Sequence, residues 1–172
     1  MVTRNWYNFM KATRLEGVIT NGLRAQDGSY HNAGYYNQSV GYEMVTMAAA
    51  LRPGDVVFAT NSQGIVLGSG TTPATFDDYN MESMITEGLS VSKVKKADED
   101  NNPSYLLTIT NISDAPITIG EVGILRRAYA GENVSTYKIV LMERTVMEEP
   151  LTIPAGSIGL VTYTVRMHIP EE

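Results

Sequence analysis

The strict alternation of apolar and polar residues near the end of this sequence constrains its fold more than any other feature. From Val161 to Ile169, every second residue is apolar and the residues between them are polar. A period of two that is rich in β-branched side chains is typical of a half-buried β-strand. The apolar face of this predicted strand is formed by Val161, Tyr163, Val165, Met167 and Ile169.

A second strand is predicted from Ser104 to Ile112. Tyr105, Leu107 and Ile109 occupy one face of that strand. Because Leu106 interrupts the opposite, polar face, we expect the strand to be covered in part on both sides.

A turn and a third strand follow. Residues 111–116 read Asn-Ile-Ser-Asp-Ala-Pro, and Asn, Ser, Asp and Pro favour turns for different local reasons. The next strand begins with Ile117 and Ile119 in phase, and its apolar positions then shift by one residue to Val122 and Ile124, beside two glycines. One extra residue exchanges the faces of a strand and glycine tolerates the geometry, so this shift predicts a β-bulge.

The remaining segments are less regular. Apolar residues at helical spacing predict a short amphipathic helix from Asn5 to Leu15, and Thr75 followed by Asp78 is the capping pattern of a second helix. The Gly-, Asn- and Tyr-rich segment Gly22–Gly41 is predicted to be a long loop, and residues 97–104 an exposed acidic loop. Further strands are predicted at Asp55–Thr60, Gly64–Gly68, Ser135–Met142, Leu151–Ile153 and, after a Pro-Ala-Gly-Ser turn, from Ile158 onward.

These patterns predict an all-β fold, an antiparallel β-sandwich of immunoglobulin-like or jelly-roll-like type. Residues 1–15 are expected to form an N-terminal arm or short helix, and residues 16–172 a single sandwich domain. The length of 172 residues fits that organisation.

Composition limits the classes of function. The net charge of −6 disfavours a direct nucleic-acid binder, which needs a basic face. The absence of cysteine excludes disulfides and thiolate chemistry. No apolar run is long enough to cross a membrane, and residues 1–16 do not resemble a signal peptide. We therefore predict no membrane partner and assembly in a cytoplasm.

The sequence carries no recognisable catalytic constellation. Its two histidines are His31, in the predicted loop, and His168, on the polar face of the last strand. No serine lies in a nucleophile-elbow pattern, and the glycines of residues 64–72 lack the lysine of a phosphate-binding loop. We predict that the protein is not an enzyme and has no catalytic residues and no cofactor.

A metal site is not predicted either. Asp98, Asp100 and Asn102 resemble the opening of a calcium loop, but Pro103 stands where that loop needs glycine and Ile109 where it needs glutamate. A solvated acidic loop is the favoured interpretation.

Two aromatic clusters are candidates for binding. Tyr30, Tyr35, Tyr36 and Tyr42 lie in the polar, glycine-rich segment, a composition typical of adaptable binding surfaces. The equally weighted alternative is a long loop that these rings anchor to the sandwich.

The second cluster lies at the start of the chain and consists of Trp6, Tyr7, Phe9 and Met10. So much exposed aromatic surface on a free arm would be a liability. We expect it to be buried as an assembly contact against a neighbouring subunit, or under the chain's own sandwich.

Three blocks of sequence, in a fixed order, resemble segments that recur in phage tail and minor virion proteins. The first contains Leu-Gly-Ser-Gly-Thr-Thr-Pro and continues to Glu82, and it is followed by blocks at residues 109–124 and 144–165. The opening Asn-Trp-Tyr-Asn, residues 5–8, also fits the pattern. The segment Gly22–Arg52 carries no resemblance.

The resemblance implies a minor structural protein of a tailed-bacteriophage virion, of the tail, collar, head-fibre or baseplate type. Such a subunit would act through protein–protein assembly, as a homo-oligomer in contact with other virion proteins, and would be assembled in the cytoplasm of the host bacterium. The alternative is a receptor- or carbohydrate-binding module at a fibre or tail tip, with a host surface glycan as its ligand. A glycan hydrolase is least favoured, because no motif marks the required pair of carboxylates.

Overall fold

The fold is all-β with one short N-terminal helix, as the sequence predicts. The structure, a computed structural model, describes residues 1–15, 19–33, 64–96, 104–129 and 137–165. The elements are α1 (Arg4–Leu15), β1 (Ile19–Arg24), β2 (Tyr30–Ala33), β3 (Gly64–Gly68), β4 (Leu89–Lys95), β5 (Ser104–Asn111), β6 (Ile117–Tyr129), β7 (Tyr137–Ile153) and β8 (Ile158–Thr164).

Within the described residues, the strands form three antiparallel sheets. The first sheet has the order β3-β6-β7, the second has the order β4-β5-β8, and β1 and β2 form a separate hairpin. Neighbours along the chain pair in β4-β5 and β6-β7, whereas β3 pairs with β6 and β5 pairs with β8. The chain therefore passes from one three-stranded sheet to the other after β3, after β5 and after β7.

A single hydrophobic core joins the two larger sheets. It contains Ile65 and Met142 of the first sheet and Leu107 and Val161 of the second, and the hairpin contributes Leu23. Helix α1 belongs to the same core through Trp6 and Phe9. Two antiparallel sheets that share one core form a β-sandwich, so the helix covers the sandwich and does not extend from it as a free arm.

The alternation in β8 is confirmed up to Val165. Val161, Tyr163 and Val165 are buried, while Leu160 is 62% exposed and Thr162 is also exposed. Residues 166–169 of that predicted strand lie outside the described residues.

The prediction for β5 is also confirmed. Tyr105, Leu107 and Ile109 face the core, and Leu106 on the other face is half-buried. The turn after β5 is held by Asn111, which is fully buried. Its Nδ2 donates to the carbonyl oxygens of Ala115 at 2.8 Å and Ile153 at 2.9 Å, so one amide links the second sheet to β7 of the first.

The predicted irregularity in β6 lies where expected. The register passes from Ile119 opposite Leu151 to Glu121 opposite Val146, so residues 147–150 of β7 lie opposite Gly120 alone. The extra residues thus belong to the partner strand. A Cβ at Gly120 would come within 2.5 Å of the carbonyl oxygen of Gly70, so this close approach of two backbones requires glycine.

Two predictions from the first half of the chain are wrong. Part of the predicted loop Gly22–Gly41 forms strand: Gly22–Arg24 belongs to β1 and Tyr30–Ala33 is β2. The polar composition of β1 gives no strand pattern, because a side chain of α1 helps to hold this strand. The Asn5 amide accepts from the N–H of Arg24 at 2.7 Å and donates to its C=O at 2.9 Å. Residues 34–41 lie outside the described residues.

The second wrong prediction is the helix from Thr75. The capping-type contact does form, since the Thr75 N–H donates to Asp78 Oδ2 at 3.0 Å, but only a turn follows at residues 76–77. Asp78 is held by Arg144 of β7, which ties the segment to the sheet instead.

The predicted strand Gly64–Gly68 is confirmed as β3. The predicted strands at Ser135–Met142 and Leu151–Ile153 are parts of the single strand β7 in so far as they are described. The predicted strand Asp55–Thr60 and the acidic loop with Asp98, Asp100 and Asn102 lie outside the described residues.

Candidate functional site

The outer face of the first sheet is covered by residues 69–86, which we call the covering segment. It contains no strand and no helix. Met81 and Met84 of this segment pack on Val66, Leu125 and Leu141 of the sheet, forming a second, smaller apolar cluster. The first sheet is therefore buried on both faces.

Arg144 of β7 anchors the covering segment to the sheet. Its side chain is 4% exposed, and its guanidinium donates from Nε to Glu121 Oε2 at 2.6 Å and from Nη1 to Asp78 Oδ2 at 2.8 Å. Its Nη2 donates to Glu82 Oε2 at 3.3 Å and to the carbonyl oxygen of Thr72 at 3.1 Å. One arginine thus joins two adjacent strands to three points of the covering segment.

The three carboxylates of this cluster have further donors. Glu121 is fully buried and accepts the backbone N–H groups of Glu82 at 3.3 Å and Ser83 at 2.8 Å. Glu82 accepts both the N–H and the hydroxyl of Thr72, each at 2.8 Å. Because a buried carboxylate is stabilised only when its oxygens are hydrogen-bonded, this arrangement is that of a structural clamp.

The environment lowers the pKa of two of these carboxyls. Burial opposes the ionisation of Asp78, but the Thr75 N–H and the Arg144 guanidinium outweigh it, so the pKa of Asp78 lies below its usual 3.8. The hydrogen bonds from the backbone N–H and the hydroxyl of Thr72 lower the pKa of Glu82 below its usual 4.5. Both groups are therefore ionised at neutral pH, as a clamp around a guanidinium requires.

These shifts predict acid lability. A carboxyl with a depressed folded pKa stabilises the folded state above its unfolded pKa, and this contribution is lost as the pH falls through the folded value. We expect Asp78→Asn to lower the Tm by about 2–4 °C at pH 7, as for a loss near 1 kcal/mol in a chain of this size. The difference in Tm between Asp78→Asn and the wild type should shrink below pH 4, as measured by thermal melts from pH 7 to pH 2.

Glu148→Gln, at an exposed position of β7, is the matched control, and its difference in Tm should show no such trend with pH. A difference that stays constant with pH would contradict the assignment.

A second buried carboxylate lies between the two large sheets. Glu143 is 2% exposed and accepts hydrogen bonds from the Tyr163 hydroxyl, from the Thr145 hydroxyl at 2.6 Å and from the α-amino group of Met1 at 2.8 Å. Burial, followed by the charge of Glu143, raises the pKa of Tyr163 well above 10. Tyr163 therefore remains a neutral donor, and its contact ties β8 to β7 across the core.

His31 of β2 lies in a contact chain whose order differs from that of a catalytic triad. Its Nε2 lies 2.8 Å from Ser29 Oγ, and Ser29 donates to Asp27 at 2.5 Å. Asp27 also accepts from Lys138 at 2.6 Å. A triad needs the histidine between the serine and the carboxylate, so that the carboxylate orients the imidazole. Here the serine occupies the middle position, between the imidazole and the carboxylate. His168 lies outside the described residues.

The four residues of the candidate assembly contact differ in burial. Trp6 and Phe9 are 8% and 4% exposed within the chain's own core, while Tyr7 and Met10 are half-buried on α1. The ring of Tyr7 meets Phe76 of the covering segment edge to face, with centroids 5.9 Å apart. The intrachain alternative thus accounts for Trp6 and Phe9, and a role of this helix in assembly stays a prediction.

Of the tyrosine cluster, the structure describes only Tyr30. Its ring is 57% exposed at the start of β2, while Tyr35, Tyr36 and Tyr42 lie outside the described residues. Tyr30 lines a cleft of about 170 Å³ together with Arg24 and Tyr79. A larger groove, of about 640 Å³, runs between Gln26, Lys138 and Met84.

The sequence patterns did not identify Arg24, Arg144 or Glu121 as site residues, because their partners are distant along the chain.

Comparisons with family models, with curated proteins and with solved structures found no match to this chain. Within the described ranges, no group of His, Cys, Asp and Glu side chains could hold a metal ion. No helix in the described part of the chain is long and apolar enough to cross a membrane.

Proposed function

We propose that this protein is a structural subunit of a tailed-bacteriophage particle, a tail, collar, head-fibre or baseplate component that acts through protein–protein assembly. The sequence blocks that resemble virion proteins, and the order in which they occur, support membership of a phage particle. The buried charged residues bond to partners within the chain, which supports a structural role because these groups then stabilise the fold. They are Arg144, Glu121 and Glu143.

The observation that carries the assembly role is the outer face of the second sheet. Ile158 and Leu160 of β8 are 64% and 62% exposed on the same side of the strand, and Ile112, directly after β5, is 66% exposed. In the described part of the chain, β8 pairs with β5 alone, and β8 carries no charged residue. Exposed edges of folded proteins are usually protected by charges or by cover. An uncharged edge strand with two exposed aliphatic residues therefore suits a subunit contact.

The test places a charge on this face. We expect Leu160→Lys to reduce self-association of the purified protein at least about tenfold, the equivalent of about 1.4 kcal/mol, as measured by sedimentation velocity over a range of concentrations. Glu148→Lys, a charge reversal at an exposed position of β7 in the first sheet, is the matched control and should leave association unchanged. A wild-type chain that remains monomeric at high concentration would argue against the homo-oligomer.

Membership of a particle needs a separate measurement. Purified particles labelled with an antibody to this chain should show the label at one fixed station under the electron microscope. Particles that lack the chain altogether would refute the virion role, whatever its self-association.

A further inference from the structure

We propose that the cleft around Arg24 binds a carboxylate-bearing saccharide, a function beyond the assembly role. The cleft lies where the β1-β2 hairpin meets helix α1 and the covering segment. Its lining residues are Arg4, Asn5, Asn21, Gly22, Arg24, Tyr30, Asp77, Asp78 and Tyr79.

Of the two arginines that line the cleft, Arg4 forms an ion pair among the described residues and Arg24 does not. Arg4 Nε donates to Asp77 at 2.5 Å, and Asp78 is bonded by Arg144. The Arg24 side chain makes no ion pair and no hydrogen bond within the part of the chain that the structure describes, and its Nε is a buried donor without an acceptor. Arg24 is close enough to Asp77 to help lower the pKa of that carboxyl, but its guanidinium bonds to no carboxylate of the described ranges and so remains available to an anionic ligand.

Arg24 is also held ready for a planar anion. Its guanidinium carbon lies 3.6 Å from the ring centroid of Tyr79 and 5.4 Å from that of Tyr30. The backbone of Arg24 is fixed by the Asn5 amide, which bonds its N–H and its C=O, while the Asn8 amide donates to the carbonyl oxygen of Gly22 at 2.7 Å. A guanidinium that stacks on aromatic rings keeps its N–H edge for bidentate binding of a carboxylate.

The remaining features favour a sugar over a segment of protein. A cleft of about 170 Å³ suits a single ring, below the volume usual for larger ligands. Tyr30 exposes 57% of its surface beside the cation and offers an aromatic face to the C–H groups of a pyranose. The Asp77 side chain, 71% exposed, and Asn21 supply polar groups at the rim for hydroxyls.

The experiment compares three probes on the full chain by two-dimensional amide NMR titration at low ionic strength. D-glucuronate should shift the amide signals of Arg24, Tyr30 and Tyr79, and D-glucose should bind at least about tenfold more weakly, because it lacks the charge-assisted hydrogen bonds. N-acetylglutamate amide, a carboxylate without a pyranose ring, should also bind more weakly than glucuronate. Equal binding of this amino-acid probe would overturn the saccharide in favour of a peptide ligand. No shifts with glucuronate at tens of millimolar would overturn the site itself.

Two variants locate the binding. Arg24→Lys keeps the positive charge but removes the planar guanidinium that can donate two parallel hydrogen bonds, and it should weaken glucuronate binding about tenfold. Tyr30→Ala removes an exposed ring, leaves the core intact, and should weaken glucuronate more than N-acetylglutamate amide. Trp6 fluorescence, from the one tryptophan of the chain, checks that each variant is folded. Glucuronate binding that is unchanged in both folded variants would refute the assignment.

Discussion

Val161→Asp is expected to unfold the protein, whereas Thr162→Asp one position along the same strand should be tolerated. Val161 is 7% exposed, pairs with Leu107 and faces the core between the sheets. An unpaired charge at such a site costs several kcal/mol, which is a large part of the stability of a domain. Thr162 points to solvent, and its replacement should cost about 0.5 kcal/mol or less.

Urea unfolding followed by Trp6 fluorescence separates the two variants, since Trp6 is 8% exposed in the core. We expect a native spectrum for Thr162→Asp and a spectrum of solvated tryptophan for Val161→Asp without denaturant. Similar midpoints for the two variants would mean that the faces of β8 are assigned the wrong way round.

The second large effect is expected at the clamp. Arg144→Met should lower the free energy of unfolding by about 3–5 kcal/mol, because it leaves the fully buried Glu121 without its cation. Arg4→Met is the matched control. It removes an arginine–aspartate pair whose side chains are 55% and 71% exposed, and should cost about 1 kcal/mol or less.

A double variant tests the reason for this loss. Glu121→Gln can retain Oε1 as the acceptor of the Ser83 N–H but removes the buried charge. Arg144→Met combined with Glu121→Gln should therefore be more stable than Arg144→Met alone in urea unfolding. If the double variant is less stable by the sum of the two single losses, the penalty does not arise from an unpaired carboxylate.

The parts of the fold that the sequence predicts are those with a local signal. In β5 and β8 the side chains alternate between core and solvent, so period-two patterning identifies both strands and their faces. The irregularity at Gly120 is visible because the apolar phase shifts there. Helix α1 is visible because Trp6 and Phe9 recur on one face.

The parts that the sequence does not reveal depend on partners far along the chain. β1 lacks apolar alternation and is held by Asn5 of α1. The covering segment is fixed to the sheet by Arg144, which is 66 residues from Asp78 and 62 from Glu82. The sequence of Thr75 and Asp78 is locally that of a helix start, and the long-range ion pair overrides that preference. Neither the clamp nor the Arg24 cleft has a motif of its own for the same reason.

The alternation of strands between the two sheets has a consequence for how the molecule acquires its structure. β5 pairs with β8 on one of its edges, and β3 pairs with β6. Both sheets therefore depend on pairings between strands that are far apart in the sequence. Closing long loops costs entropy before the contacts repay it, and chains dominated by such contacts fold in milliseconds to seconds. During synthesis, β5 emerges from the ribosome well before β8 and presents an unpaired edge until β8 arrives. The strands β6 and β7 are neighbours along the chain and pair over most of their length, so we expect their ladder to form before the pairings of β3 with β6 and of β5 with β8.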